Sequence, residues 1–333
     1  MKIKILGEEI LPDLTATGCQ NSIKLKDVEF PVPCGKCLPC LRKRRADWSF
    51  RLEQEFLGSD SALFITLTYD DIHLPYSYRK SETIKDFETG ETIKQQYITQ
   101  YSDKPTLNKK HVQDYIKQLR NAHVKYVTEE LGVTKKEVQK VSKPLRYYLV
   151  GEYGSKTQRP HYHVLLFNMD IANIAPISNK WTKGFTQIGT VTTASINYVT
   201  KYMNKSFDKK LDSRQPPFST MSKGRKNTPY GILGHRYLDK YGTHHIKSED
   251  LMVKTQSGNT QRIPKVFLRR LFTDKQDRQE VSLKSLTEYQ ENKIKIYKRQ
   301  LETHYDNDVI KWLRSKDADL KRNLKTINNN ETL

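Results

Sequence analysis

Blocks of hydrophobic and polar positions with two different periods run along the chain between residues 62 and 204. Short runs rich in β-branched and aromatic residues, bounded by turn residues, predict strands at 62–69, 145–151, 161–167 and 184–191. Apolar residues with helical spacing predict a helix that begins after Asn108, whose side chain can cap it. This stripe consists of Val112, Tyr115, Ile116, Leu119, His123 and Tyr126. A second helix is predicted at about 194–204, and residues 77–106 are predicted to form a long loop or a hairpin.

The order of these elements indicates the fold class. Strand, helix, strand, strand, strand and helix do not follow the alternation of a doubly wound fold. A tight turn joins the strands at 145–151 and 161–167, which favours antiparallel pairing. The sequence therefore predicts an α+β fold with a central antiparallel β-sheet and flanking helices. Residues 41–52 predict a basic amphipathic helix before the sheet, and the charged chain beyond about 277 is helix-prone.

Composition and charge restrict the class of protein. Hydrophobic residues make up 36% of the 333, enough for a packed core, which excludes a wholly disordered chain. The formal net charge of +20 favours a polyanionic partner, either nucleic acid or an anionic membrane surface. No run approaches the ~18 consecutive apolar residues of a membrane span. Glu8 and Glu9 come before any apolar stretch of secretory length, so an intracellular protein is expected.

All four cysteines lie between residues 19 and 40. Cys34, Cys37 and Cys40 have C-x2-C-x2-C spacing, and Cys19 precedes them. Four thiolates can complete a tetrahedral zinc site, which is the favoured interpretation. An iron–sulfur cluster and a set of reduced thiols are the alternatives, whereas disulfides are disfavoured in an intracellular chain.

A basic run follows the cysteines directly. It consists of Arg42, Lys43, Arg44 and Arg45. Such a run is usually a solvated helix face. Beside a metal-binding segment, it is also a candidate surface for contacting phosphates.

A second group of candidate metal ligands lies on two predicted strands. His161 and His163 are two positions apart, so both imidazoles project from the same face of a strand. Glu152 lies on the preceding strand, and the turn at 155–159 would bring it beside His161 across the ladder. Two imidazoles and a carboxylate suit Mg²⁺ or Mn²⁺ acting on a phosphodiester. An isolated H-x-H pair is more often two half-buried strand histidines, and Glu152 alone would be an ordinary edge-strand carboxylate.

The predicted helix at 194–204 carries a pair of tyrosines. Tyr198 and Tyr202 are spaced i, i+4, and Lys201 and Lys205 each follow a tyrosine by three residues. An aromatic pair with this spacing usually packs in a core. A phenol, with a reference pKa of about 10, is a weak nucleophile unless a cation or an ammonium lies nearby. The candidate metal ligands and the lysines would supply both.

Four segments together resemble the HUH endonuclease superfamily, whose members initiate rolling-circle replication. The segments are PCGKCLPC (33–40), FITLTYDD (64–71), GEYGSKTQRPHYHVLLFN (151–168) and YVTKYMNK (198–205). They occur in the order of that family, and the resemblance covers about residues 30–240. More narrowly, the chain resembles the replication initiation proteins of gokushovirus-type microviruses, which are small single-stranded DNA phages.

The resemblance implies a ferredoxin- or RRM-like palm and assigns roles within it. His161 and His163 would bind the divalent metal, Glu152 would match the more variable third-ligand position, and Tyr198 and Tyr202 would be the nucleophiles. One tyrosine would cut origin DNA, forming a 5′-phosphotyrosine link and a free 3′-hydroxyl, and the second would cut the regenerated origin. Lys201 and Lys205 would stabilise the phosphate charge or position the leaving oxygen. Further candidate DNA contacts are Thr66, Thr68 and Arg159.

The implied partners are single-stranded and origin DNA, together with the host DNA polymerase and helicase, in the cytoplasm of a bacterial host. The membrane alternative is then disfavoured. The chain has no G-x-x-x-x-G-K-[ST] loop, so no fused helicase is expected. The predicted organisation is a cysteine-rich segment with a basic helix (1–55), an HUH endonuclease domain (56–210), a basic extension containing Gly and Pro (211–275) and a charged helical tail (276–333).

Two other functions stay open. Another HUH nuclease, such as a relaxase or a single-strand transposase, could share the paired tyrosines. A non-enzymatic, zinc-dependent origin-binding protein would account for the cysteines and the charge. A histidine-triad hydrolase is disfavoured because Leu165 occupies its third alternate position, and a cupin because no further ligand follows His163 in VLLFNMD.

Overall fold

The computed structural model describes residues 3–5, 8–10, 19, 21–26, 28, 31–85, 92–201, 213–223, 232–312, 314, 315, 318 and 322. The chain forms two compact units, one of Met1–Phe50 with Tyr237–Leu333 and one of Arg51–Arg236. Among the helices of the described residues, none has the length and apolar character needed to cross a membrane.

The strands and helices are numbered here along the chain. The strands are β1 (Ile3–Ile5), β2 (Glu8–Ile10), β3 (Ala62–Tyr69), β4 (Ser77–Lys85), β5 (Thr92–Tyr101), β6 (Arg146–Tyr153), β7 (Pro160–Phe167), β8 (Gly184–Thr190), β9 (Phe218–Met221), β10 (Met252–Lys254) and β11 (Thr260–Arg262). The helices are α1 (Leu38–Leu57), α2 (Lys109–Leu131), α3 (Val138–Val141), α4 (Ala175–Asn179), α5 (Thr193–Lys201), α6 (Arg236–Ser248), α7 (Lys265–Leu271) and α8 (Lys275–His304).

The central element of the Arg51–Arg236 unit is a five-stranded sheet with strand order β8-β3-β7-β6-β9. All its pairings are antiparallel, so the predicted α+β fold with a central antiparallel sheet is confirmed. The four predicted strands are present, with ends that differ by at most two residues. Strand β9, only four residues long, was not predicted, and it lies in the segment expected to be a basic extension. Its pairing with β6 depends on contacts that are distant in sequence.

The segment 77–106 forms a hairpin, the second of the two predicted possibilities. Strands β4 and β5 pair with each other in a separate two-stranded antiparallel sheet. This hairpin precedes α2.

Helix α2 covers one face of the central sheet. Asn108 caps the helix as predicted, since its Oδ1 accepts hydrogen bonds from the backbone N–H groups of Lys110 (3.0 Å) and His111 (3.3 Å). The buried positions of α2 follow the predicted stripe except at its end, where Val127 is buried and Tyr126 is half-buried. The step from position 123 to 127 is one helical turn, so a residue at 127 continues the stripe better than one at 126.

The hydrophobic core lies between α2 and this face of the sheet. Alternate residues of β7 point into it, whereas the residues between them point to the opposite face. The core includes Tyr162, Val164 and Leu166 from β7, and Val112, Tyr115, Ile116 and Leu119 from α2. The opposite face is therefore the one that carries His161 and His163.

The other unit contains the predicted basic helix and the predicted helical tail. Helix α1 includes all of residues 41–52, and α8 is a 30-residue helix capped by Asp274. Within this unit, the ring of Tyr237 packs between Phe50 (5.0 Å between centroids) and Phe267 (5.9 Å). This aromatic cluster joins the start of the chain to its C-terminal third.

Gly184 fixes the start of β8 against the end of β3. Its φ is +146°, and a Cβ there would lie 2.4 Å from the backbone N of Asp70 and the carbonyl O of Thr68. We expect Gly184→Ala to lower the free energy of unfolding by at least about 2 kcal/mol, because backbone atoms must move. In Gly189→Ala, the control in the same strand, the new Cβ would lie 3.9 Å from the Phe64 carbonyl, an ordinary contact. Thermal unfolding measures both variants, and equal losses of stability would contradict the assignment.

Candidate functional site

Adjacent strands bring the predicted metal ligands onto one face of the sheet. Glu152 on β6 is directly opposite His161 on β7, so the predicted cross-ladder pairing of these two residues is confirmed. His161 is in turn opposite Thr68 on β3, and His163 is opposite Thr66. Residues directly opposite each other in an antiparallel ladder project to the same side. These five residues therefore form two short rows across the sheet.

Three polar groups converge on a single oxygen atom, Oε1 of Glu152. The Nε2 atoms of His161 and His163 each lie 3.0 Å from it. The hydroxyl of Tyr198 donates a hydrogen bond to it at 2.9 Å and also lies 3.4 Å from Nε2 of His163. Glu152 is only 4% exposed, and a buried carboxylate is costly unless it is paired in this way.

The outer nitrogen of each imidazole is held by a partner of its own. Nδ1 of His161 lies 3.2 Å from the carbonyl O of Arg159, which can only accept, so Nδ1 carries the proton. Nδ1 of His163 lies 3.1 Å from Oγ1 of Thr66. The ring of Phe64 stacks on His163 with an interplanar angle of 5°. Such outer contacts orient metal-binding histidines and leave Nε2 available as the ligand atom.

The charge of Glu152 affects His161. Burial lowers the pKa of this imidazole, but the hydrogen bond from Glu152, its negative charge and the Arg159 carbonyl together outweigh burial and raise the pKa above 6.5. The cluster therefore favours positive charge next to the buried carboxylate. A divalent cation can supply that charge in place of protons. One ligand atom from each of Glu152, His161 and His163 lies within 4.8 Å of the others, so the group could hold a metal ion.

Tyr198 reaches this cluster from α5. Ile196 and Val199 are buried and anchor the helix, whereas Tyr198 is 39% exposed. Its ring lies at 87° to that of His163, with 5.0 Å between the centroids. Tyr198 is thus not a core residue, as the usual interpretation of such a pair would have it. Lys201, half-buried, is the last described residue of the helix.

Two predicted site residues, Tyr202 and Lys205, lie outside the described residues, as does the end of the helix predicted at 194–204.

The four cysteines are brought together in the other unit, around the N-terminal end of α1. The Sγ atom of Cys37 lies 3.4 Å from that of Cys40 and 3.7 Å from that of Cys19, and the Cys34 and Cys40 sulfurs are 4.0 Å apart. A tetrahedral site with Zn–S bonds of ~2.3 Å places its sulfurs about 3.8 Å apart. The cysteine cluster could therefore hold a metal ion.

Backbone N–H groups also favour an anionic sulfur in the cysteine cluster. The N–H groups of Lys36 and Cys37 lower the pKa of Cys34 to about 6, whereas burial raises that of Cys40 to about 12. Gly35 has φ +77°, a conformation that favours glycine, and it allows the turn between the first two cysteines of the run.

The predicted basic run on α1 divides into two pairs. Arg42 and Arg44 are exposed, and Arg44 donates a hydrogen bond to the Gly35 carbonyl at 3.0 Å. Lys43 instead pairs with Asp47 and donates to the Arg262 carbonyl at 2.8 Å, and burial lowers its pKa. Burial also lowers the pKa of Arg45. The alternating directions of these side chains leave Arg42 and Arg44 as the accessible members of the run.

The remaining candidate DNA contacts lie around the end of β3. Arg159 pairs with Asp71 (2.5 Å) and donates to the Tyr69 carbonyl (3.0 Å), so it ties the turn between β6 and β7 to β3. Thr66 and Thr68 lie on the face that carries the metal-ligand candidates. Phe64, which stacks on His163, was missed by sequence reasoning. Its position two residues before Thr66, on the same face of a strand, was the available signal.

A sheet face with two imidazoles, one carboxylate and a tyrosine hydroxyl at a single point is an arrangement suited to phosphodiester chemistry. Residues 62–207 match the family model of the replication-associated protein ORF2. Over these residues, which include Glu152, His161, His163 and Tyr198, the chain belongs to this family of replication-associated proteins. The predicted resemblance to phage replication proteins is confirmed.

Three similar proteins come from phages. The chain is 28% identical over 326 residues to Replication-associated protein ORF2 of Spiroplasma virus 4, covering 90% of this chain and 87% of that protein. It is 28% identical over 229 residues to Replication-associated protein VP4 of Bdellovibrio phage phiMH2K, covering 64% and 59%. It is 24% identical over 270 residues to Replication-associated protein ORF4 of Chlamydia phage 1, covering 75% and 57%. The matches thus span less than two thirds of the last two proteins. No solved structure matches the chain.

Proposed function

We propose that this chain initiates rolling-circle replication of a phage genome by cutting single-stranded origin DNA at a metal-dependent HUH endonuclease site. The observation that carries the proposal is the 2.9 Å hydrogen bond from the Tyr198 hydroxyl to Oε1 of Glu152, the oxygen that both imidazoles contact. The names of the similar phage proteins support a role in replication. The net charge of +20 supports a nucleic-acid substrate.

Glu152, His161 and His163 are the proposed ligands of a Mg²⁺ or Mn²⁺ ion. When bound, such an ion polarises a phosphate and stabilises the charge that develops on it. The mixture of two imidazoles with one carboxylate suits Mn²⁺ better than Mg²⁺, which prefers oxygen ligands. Thr66 and the Arg159 carbonyl keep both Nε2 atoms directed at Glu152.

Tyr198 is the proposed nucleophile. Its Oη forms a bond to the phosphorus as the bond from phosphorus to the 3′ oxygen breaks, which leaves the DNA 5′ end on the tyrosine. The phenol proton leaves along the hydrogen bond to Glu152. Lys201, three residues further along α5, gives a proton to the departing 3′ oxygen. Tyr202 carries out the second cleavage, and Lys205 has the corresponding role for it.

The proposal extends to the partners and location of the protein. The free 3′-hydroxyl is extended by the host DNA polymerase, and a host helicase separates the strands. These steps take place in the cytoplasm of the bacterial host. The exposed Arg42 and Arg44 contact DNA phosphates.

The test is formation of a covalent protein–DNA adduct. Single-stranded DNA that bears the phage origin is incubated with the protein and Mn²⁺, and then denatured. We expect an adduct that requires the metal, and mass spectrometry should locate it on Tyr198 or Tyr202. Tight DNA binding without any adduct would contradict the nuclease and favour the non-enzymatic origin-binding protein. An adduct on a different residue would contradict the site.

We also propose that Cys19, Cys34, Cys37 and Cys40 hold a structural zinc ion. We expect the purified protein to contain about one zinc ion per chain, and Cys37→Ser to lose it and to unfold at a lower temperature. Ser22→Ala, in the same part of the chain, is the control and should keep the zinc. Elemental analysis with a visible absorption spectrum decides the matter. Iron with visible absorption would indicate a cluster, and a metal-free native protein would contradict both.

A further inference from the structure

Phe185 is an exposed aromatic residue on the face of the sheet that carries the candidate site. Its side chain is 69% exposed, although it lies on a strand of the central sheet. We infer that Phe185 stacks on a base of the single strand close to the scissile phosphate and thereby positions that strand. This inference rests on the proposed function and adds a positioning residue to it.

The register of the sheet connects Phe185 to the site. Glu152 is opposite His161, His161 is opposite Thr68, and Thr68 is opposite Phe185. These four side chains therefore form one continuous row across β6, β7, β3 and β8, on one face. Neighbouring strands are ~4.8 Å apart, so Phe185 lies about 10 Å from His161 along the row. A strand whose phosphate is held at the histidines can therefore reach the ring with a nearby base.

The backbone that carries the ring is held on both sides. The N–H of Asp70 donates to the Lys183 carbonyl at 3.1 Å, and the close approach of Gly184 to β3 leaves no room for a side chain. The indole N–H of Trp181 donates to the Thr68 carbonyl at 2.9 Å. The ring is thus presented from a fixed position. A preorganised aromatic side chain loses little entropy when a ligand stacks on it.

The chemistry of β8 favours a base over a phosphate as the occupant. The strand, GFTQIGT, contains no charged residue, and the residue next to Phe185 on the same face is Gln187. Phosphates are bound mainly by basic residues, whereas every base has a face that can stack on an aromatic ring. Bases in a duplex are already stacked on each other. Phe185 should therefore contribute to the binding of single strands and not of duplexes.

The experiment measures binding in the presence of a chelator, so that no cleavage takes place. A fluorescein-labelled oligothymidylate is compared with an abasic oligonucleotide of the same length and charge. We expect Phe185→Ala to weaken oligothymidylate binding about tenfold, within the range for loss of one stacked base. Binding of the abasic strand and of duplex DNA should not change. The slope of log Kd against log salt should also stay the same, because no phosphate contact is lost.

Two control variants separate stacking from a general effect. Phe185→Trp keeps an aromatic face and should retain the preference for oligothymidylate. Ile188→Ala removes a 37% exposed apolar side chain from the opposite face of the same strand and should have no effect. Equal losses for the thymidylate and abasic strands, or no loss for either, would overturn the inference. A change in the sedimentation of Phe185→Ala without a change in base preference would also overturn it, in favour of a contact between copies of the chain.

The outcome for Phe185 is independent of the outcome for the nuclease. A wild-type adduct combined with unchanged binding by Phe185→Ala would refute the stacking and leave the nuclease intact. Loss of base preference in Phe185→Ala without any wild-type adduct would refute the nuclease and leave the stacking intact.

Discussion

Replacement of both Tyr198 and Tyr202 by phenylalanine is expected to abolish the covalent adduct with origin DNA, reducing its rate by at least about a thousandfold. The adduct needs an oxygen that can bond to phosphorus, and phenylalanine removes only that atom. The Tyr198 hydroxyl is in hydrogen-bond contact with the candidate metal ligands Glu152 and His163. Its removal eliminates the nucleophile and leaves the ligands in place.

The single variants divide the two proposed roles. Tyr198→Phe should leave only the adduct that forms on Tyr202, and Tyr202→Phe should leave only the adduct on Tyr198. Denaturing gels with mass spectrometry of the tyrosyl–DNA peptide measure both.

Tyr101→Phe is the matched control for exposure. Tyr101 is 74% exposed, more than the 39% of Tyr198, yet it lies on the separate hairpin. If exposure alone made a phenol reactive, Tyr101→Phe would reduce the adduct, whereas we expect no change. An adduct that persists in the double variant would refute the assignment of both tyrosines.

Loss of one histidine from the cluster is expected to abolish cleavage and to leave DNA affinity largely intact. In His161→Ala the affinity for Mn²⁺ should fall by more than the ~10–100-fold that is typical for loss of an outer contact, because a ligand atom itself is removed. DNA affinity measured in a chelator should stay within about threefold, since it depends mainly on basic residues elsewhere. The electron paramagnetic resonance signal of free Mn²⁺ reports metal binding independently of cleavage.

A graded variant and a control test the geometry of this cluster. Thr66→Val keeps the shape of the side chain and removes the 3.1 Å contact to Nδ1 of His163, so we expect Mn²⁺ affinity to fall about tenfold. Higher Mn²⁺ concentrations should then restore cleavage. His73→Ala removes a histidine that pairs with Asp70 outside the cluster and should bind Mn²⁺ like the wild type. Normal Mn²⁺ binding by His161→Ala would refute the proposed ligand set.

Local sequence patterns were sufficient for much of the fold and for the direction of individual side chains. The alternation along 161–167 places His161 and His163 on one face, because successive side chains of a strand point to opposite sides. The helical stripe after Asn108 and its cap were predicted for a similar reason, since capping and periodicity involve residues only a few positions apart. The pairing of Glu152 with His161 was also accessible, because a short turn leaves few possible registers.

The convergence of the site was decided by tertiary structure. Sequence spacing does not show that Tyr198 shares one Glu152 oxygen with two imidazoles, because that contact depends on how α5 packs on the sheet. The contact between Thr66 and His163 and the row from Glu152 to Phe185 depend on which strands are neighbours and in what register.

Charge shows the same division between sequence and structure. The basic run at 42–45 was evident in the sequence, but only the packed helix turns Lys43 inward to Asp47 and Arg262. The sequence by itself therefore determined the candidate chemistry and the elements that carry it. Tertiary structure decided which groups meet, because atoms far apart in the chain are brought within bonding distance only by packing and strand register.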